Sequence, residues 1–232
     1  MTSPLYKYSE LRWAKALVHE GSVKVSTLSE YRGMEGLDAE RGDRHEGELT
    51  LQSPAGRHAY GGETLPPPLR NPNIYIGPGA FVVEGQGAVT IHSKIPDLFI
   101  YCTSEAYDLD VGRSFANGVP MGCVRINQPE QFFLAVDAAL RTKLTAGRMT
   151  LRKPKWDRCV YEDRLYDWER EDVPAAWLLK PAKLQKQREI RVRWDTDPMQ
   201  PLEFIILKVP AIIPHCTLIH ADPEADEGDT PG

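Results

Sequence analysis

Apolar positions recur along this chain in two periods, and the change from one to the other marks its elements. Leu5 to Tyr8 forms a short first run. Ser9 then reads as an N-cap for a helix with Trp13, Ala16 and Leu17 on one face, ending at Gly21. Val23, Val25 and Thr27 alternate with polar residues, which predicts a strand. From residue 30 to 48 the chain reads EYRGMEGLDAERGDRHEGE, so charged and glycine-rich that it predicts a surface loop or partly ordered cap. Pro66 to Pro68 and Asn71-Pro72 stiffen the next connection. IYI, AFVV, AVTIH and LFIYCTS follow as short β-rich runs broken by glycines, the pattern of a hairpin sheet. Another strand is expected between Gly118 and Ile126. Pro129 opens a helix carrying Phe132, Phe133, Val136 and Leu140. A short helix from Ala175 to Leu184 is interrupted by Pro181, and strands at Gln187–Trp194 and Leu202–Val209 close the pattern. One early helix followed by many strands and few helices predicts an α+β fold with a strand-rich, split two-sheet core and peripheral helices, not alternating βαβ units.

Composition narrows this only in places. A chain of 232 residues can bury a large core without staples. A single domain is expected over 1–220. It is followed by an acidic disordered tail over 221–232, where Asp222, Glu224, Asp226, Glu227 and Asp229 lie beside Pro and Gly. Cys102, Cys123, Cys159 and Cys216 lie far apart, with no CxxC and no Cys/His pairing, so neither a zinc site nor a disulfide framework is expected. No signal peptide or membrane-spanning run is visible, and the reading is a cytoplasmic protein with no membrane partner. A net charge of −5 brings no general attraction to nucleic acid, although Leu151 to Arg158 is locally basic.

Candidate chemistry gathers at three places. In QREIRVRW, read as a strand, Ile190, Val192 and Trp194 point to one face and Gln187, Glu189, Arg191 and Arg193 to the other. The same [QE]-x-E pattern recurs at Glu46/Glu48, Gln128/Glu130 and Glu169/Glu171, in a glycine loop, at a helix start and in a charged connection. Glu189 is set apart by its strand context. FIYCTS ends a strand with an aromatic residue and hydroxyls, and LYKYS puts Lys7 between Tyr6 and Tyr8 on the first strand. There is no P-loop, GxSxG, HExxH or GxGxxG, and the histidines show no metal or triad spacing.

These three places, in this order, resemble the motifs of a diverged ADP-ribosyltransferase of the arginine–serine–glutamate type, in the style of bacterial toxins or defence proteins. The resemblance covers scattered strand motifs. It departs from the family at Cys102, which replaces the first serine of Ser-Thr-Ser, and at Lys7, where the family offers Arg or His. It implies that NAD is a substrate, with no metal. Glu189 would be the catalytic glutamate and Gln187 its partner. Lys7, Tyr8, Tyr101, Thr103 and Ser104 would contact NAD or brace its site. Arg32 in the charged loop would meet its phosphates, as an alternative to Arg41, with Asp43 or Glu46 meeting an acceptor. The implied activity is cleavage of the nicotinamide–ribose bond and transfer of ADP-ribose to an unknown protein or nucleic-acid acceptor, as a toxin, defence or counter-defence effector. An NAD glycohydrolase and a non-enzymatic binding or inhibitor protein on the same scaffold stand as alternatives. A carboxylate near the ribose suits the chemistry, because it stabilises an oxocarbenium-like centre more in the transition state than in the ground state.

Overall fold

In the computed structural model, which describes residues 3–34, 43–60, 81–116, 118–145, 149–197 and 202–222, the chain is α+β. It is rich in short strands arranged in several sheets, with few helices. The IYI run, residues 35–42 with Arg41, and residues 223–232 lie outside the described residues. Within the stretch read as one domain the chain forms two compact units. The first takes Met1–Arg44, Pro96–Cys159 and Lys183–Gly232, and the second His45–Ile95 and Val160–Ala182. Each unit draws on separated segments, so no linker composition marks the division.

The first unit is built on an eight-stranded sheet. Its strands are β1 (Leu5–Glu10), β2 (Ser22–Thr27), β3 (Phe99–Ser104), β4 (Met121–Ile126), β5 (Lys155–Arg158), β6 (Glu189–Trp194), β7 (Ile205–Lys208) and β8 (Cys216–Ala221). Their order is β5-β6-β3-β1-β4-β8, and β2 joins β3 while carrying β7. Every pairing is antiparallel. β6 runs along one edge of β3. The other edge is shared: β1 meets it at Tyr6↔Ser104, and β2 meets it at Ser26↔Ile100 and Thr27↔Phe99. The sheet therefore forks along β3, leaving Tyr101 to Thr103 between the two arms.

Alternation decides what each face carries. Leu5, Phe99, Tyr101, Val124, Ile126, Ile190, Val192 and Trp194 enter one core with Phe132, Phe133, Val136 and Leu140 of helix α4 (Pro129–Thr145; the earlier helices are α1, Leu11–Glu20, α2, Leu28–Met34, and α3, Leu109–Ser114). The Tyr101 ring lies 5.7 and 5.9 Å from those of Phe132 and Phe133, at contact distance for tilted and edge-on pairs. The apolar face of β6 is as its alternation predicts. Its polar face is buried too, with Glu189 at 7% and Arg191 at 1% exposure.

Helix α1 departs from its predicted cap and face. Ser9 belongs to β1, Glu10 enters the helix without a side-chain cap, and the Leu11 amide donates to the Pro120 carbonyl instead. A main-chain acceptor from a distant loop replaces the side chain that a local rule looks for. Leu11, Ala14, Leu17 and Val18 are buried, while Trp13 is partly exposed. Gly21 ends the helix as predicted, at φ 62° with its amide bonded to the Ala16 carbonyl. An added Cβ there would lie 2.4 Å from the Val209 carbonyl oxygen. Gly21→Ala combines left-handed strain with a backbone clash, and is expected to cost about 2–4 kcal/mol in a urea melt. A loss below about 1 kcal/mol would mean that the junction relaxes freely.

Two further expectations are corrected. The segment 30–48, read as a surface loop or partly ordered cap, starts as helix α2 and buries Asp43 and Glu46. The acidic tail cannot begin at residue 221, because Ala221 completes β8. Asp222 then donates its amide to the Met121 carbonyl and accepts the Met121 amide at 2.8 Å.

In the second unit Glu48–Gln52 pairs with Thr90–Lys94 and Leu165–Asp167. Tyr60, Val83 and Trp168 form its small core, where the Trp168 indole donates to the Tyr60 hydroxyl and that hydroxyl to Glu169. Glu48 faces Lys94 and His45, which hold its carboxyl at about 2 instead of 4.5, Lys94 contributing most. A carboxyl depressed on folding stabilises the fold above its unfolded value, and that contribution is lost as pH falls toward about 2. At a partly exposed site it amounts to less than about 1 kcal/mol. Glu48→Gln is therefore expected to lower the urea midpoint slightly at neutral pH, with the difference from wild type vanishing near the bottom of that window. A gap that widens on acidification would give the pairing the wrong sign.

Among the described residues, no helix is long and apolar enough to cross a membrane.

Candidate functional site

The three motifs, far apart in sequence, fall on three neighbouring strands, β6, β3 and β1. Glu189 stands directly opposite Ser104, and Ser104 directly opposite Tyr6. Directly opposed residues of antiparallel strands point to the same side of a sheet. Glu189, Arg191, Cys102, Ser104, Tyr6 and Tyr8 accordingly share one face.

Glu189 is held from several directions. Thr103 Oγ1 donates to the Ile190 carbonyl at 3.2 Å, and Ser104 Oγ to the Gln187 carbonyl at 2.7 Å. These two hydroxyls grip the main chain on either side of the glutamate. The Glu105 amide donates to the Arg188 carbonyl, and the Cys159 amide to that of Glu189 itself. Arg188, at φ 43°, is the one non-glycine residue with positive φ among the described residues, immediately before Glu189. Such a conformation costs roughly 1–3 kcal/mol and persists where the surroundings dictate it. The carboxylate receives the Arg191 Nε–H at 2.5 Å, a charge-assisted bond between two buried groups.

Gln187 does not occupy its expected place. It ends a 3-10 turn (Ala182–Gln187), and the strand begins only at Glu189. The left-handed Arg188 between them breaks the alternation that would have set the two side chains side by side. The Gln187 side chain is buried, and its carbonyl serves Ser104.

Lys7 lies on β1, yet it projects from the opposite face to Glu189, level with Val124. Its ammonium turns into the fork, where Nζ donates to the Cys102 carbonyl at 2.9 Å and lies 4.7 Å from the Tyr101 ring centroid. It thus satisfies a main-chain acceptor that the divided sheet leaves without a strand partner. Tyr101 is a core residue, its phenol kept well above its ordinary pKa by burial. The Tyr8 hydroxyl accepts the Asp108 amide at 2.6 Å and donates to the Ala106 carbonyl at 3.3 Å, pinning the loop after Ser104. Arg32 is half-buried on α2, beside Tyr31.

Tyr31 is the member that sequence reasoning missed. Its hydroxyl bonds to the Cys102 thiol and feels the charges of Glu189 and Arg191, while burial raises its pKa well above the usual value. Cys102 is pushed up to about 12, first by burial and then by Glu189. Burial and the neighbouring carboxylate both work against a thiolate at Cys102. The only hint to Tyr31 in the sequence is an aromatic residue within a charged stretch.

A cleft of about 210 Å³ opens in the fork, lined by Lys7, Tyr8, Trp13, Tyr31, Met34 and Tyr101 among others. That is below the roughly 300–1,000 Å³ usual for small-molecule sites, so it suits one ring-sized moiety rather than a whole dinucleotide. Tyr31 lines the cleft and also touches the Glu189 cluster, so it stands between the two. Among the described residues no group of three or more His, Cys, Asp and Glu side chains is arranged to hold a metal ion.

Comparison with protein-family models, curated proteins and solved structures gave no match, so the chemistry of this site is argued from its own geometry.

Proposed function

We propose that this protein is an ADP-ribosyltransferase acting on NAD, with an acceptor that is a protein or a nucleic acid, in the manner of a toxin, defence or counter-defence effector. The observation that carries the reading is the direct opposition of Glu189 and Ser104 on one face, with β1 on the other side of Ser104 and a ring-sized cleft in the adjoining fork. Motifs that resemble the family only by chance have no reason to meet on adjacent strands.

In this reading the bond between nicotinamide and the ribose anomeric carbon breaks, and its electron pair leaves with the nicotinamide ring. The acceptor's nucleophilic atom donates the pair that forms the new bond, and its proton is released. Glu189 stabilises the positive ribose between these events. Thr103 and Ser104 act through the main chain, holding the glutamate in position. Tyr31 would have to yield for a ribose to reach the carboxylate, because it covers that cluster from the cleft side.

A second reading, a non-enzymatic binding protein on the same scaffold, is favoured by the pairing of Glu189 with buried Arg191 and by the engagement of Lys7 with a main-chain carbonyl. Incubating the pure protein with labelled NAD and a cell lysate separates the possibilities. Label on a macromolecule supports transfer, free ADP-ribose alone supports a glycohydrolase, and intact NAD supports the binding protein.

A further inference from the structure

β5 closes one end of the sheet, pairing with β6 on its inner side. It is short and carries little apolar residue, with one exception. Trp156 stands opposite Val192 and is 51% exposed. Lys155, opposite Arg193, points to the other face and is exposed. The lead-in supplies Arg152 and Lys153, and the end of the strand Arg158. Between 152 and 158 these four cations are offset in sequence only by Asp157, on a chain whose net charge is −5. Arg152 sits 3.8 Å from Asp197, and Arg158 pairs with Glu105, but the two arginine side chains are 62% and 71% exposed. Exposed pairs of this kind are worth little and exchange readily for another anion.

We infer that β5 and its lead-in form a binding strip for single-stranded nucleic acid. Trp156 is the stacking platform for a base, and Arg152, Lys153 and Arg158, which shares the Trp156 face, track the phosphates. An exposed indole among cations along an extended strand is the combination that holds unpaired bases, because every base offers a π-face whatever its sequence. A duplex keeps those faces stacked, and an acidic peptide has no use for the indole. From Arg152 to Arg158 the strip spans roughly 20 Å at ordinary strand rise, enough for a short run of nucleotides. Arg158 lies opposite Ile190, one residue from Glu189, so the strip adjoins the candidate site. The inference does not depend on NAD chemistry, and its test contains no NAD.

The test is anisotropy of a labelled oligothymidine with the full chain at about 50 and 200 mM salt, with tryptophan quenching read in parallel. Binding should weaken with salt at a log–log slope of about −2, as expected for three phosphates on a single strand. Trp156→Ala should weaken it about tenfold, and Trp156→Phe should recover most of the loss. Lys153→Glu with Arg158→Glu should weaken it further and flatten the salt slope, whereas Leu134→Ala, changing an exposed apolar side chain on α4, should leave it unchanged. No binding at the lower salt, or wild-type affinity in Trp156→Ala, overturns the inference. So does equal competition by polyglutamate, which would reduce the strip to a general polyanion surface.

Discussion

Glu189→Gln is expected to lower NAD turnover by about a hundredfold or more while the chain stays cooperatively folded, the usual scale for removing a transition-state stabiliser. The glutamine oxygen can still accept the Arg191 Nε–H, so the buried guanidinium keeps a partner there even as the charge is lost. Glu48→Gln, Glu130→Gln and Glu171→Gln each remove one charge from the same [QE]-x-E pattern, and each should stay within about twofold of wild type. Burial separates the four acids. Glu189 is buried, Glu130 and Glu171 are exposed, and Glu48 is partly exposed. Near-UV circular dichroism on every variant keeps folding distinct from chemistry. Full activity in Glu189→Gln alongside a dead decoy would move the site elsewhere. A wild type that never consumes NAD would favour the binding-protein reading.

Arg191→Met should be among the most destabilising single changes in the chain. Arg191 is 1% exposed, and removing its guanidinium strips a buried carboxylate of the charged partner 2.5 Å away. Breaking such a pair from one side typically costs about 3–5 kcal/mol, whereas replacing both partners is far milder. Glu189→Gln combined with Arg191→Met should therefore recover a large part of the loss. The urea melts of the two single variants and the double variant form a cycle, with an expected coupling above about 2 kcal/mol. Additive losses would show that the two side chains ignore one another. The measurement needs no NAD, so it tests the electrostatics of the cluster whatever its function.

How much was legible beforehand varies from element to element. The alternation of Ile190, Val192 and Trp194 indicated both a strand and its core face, and the Phe132 to Leu140 spacing indicated α4. Gly21 could be read as a helix end because few other residues tolerate its φ. The polar face of β6 was harder to judge, since a run of Arg and Glu looks solvated until something covers it. Here α2 brings Tyr31 onto that side. Gln187 misled for a related reason: period two holds only while the backbone stays extended, and Arg188 does not.

By itself the sequence determined the strand-rich α+β character, the inward-facing apolar positions, and a short set of residues with the right chemistry. These depend on side-chain period and residue type, which are local properties. Only the tertiary structure decided that β6, β3 and β1 are neighbours, that the sheet forks and turns Lys7 away from Glu189, and that the chain divides into two units. Strand order and register come from pairing between segments as far apart as Ser22 and Lys208, where backbone hydrogen bonds are alike at every position. The choice among registers is made by how all the apolar faces pack at once, which no local window contains.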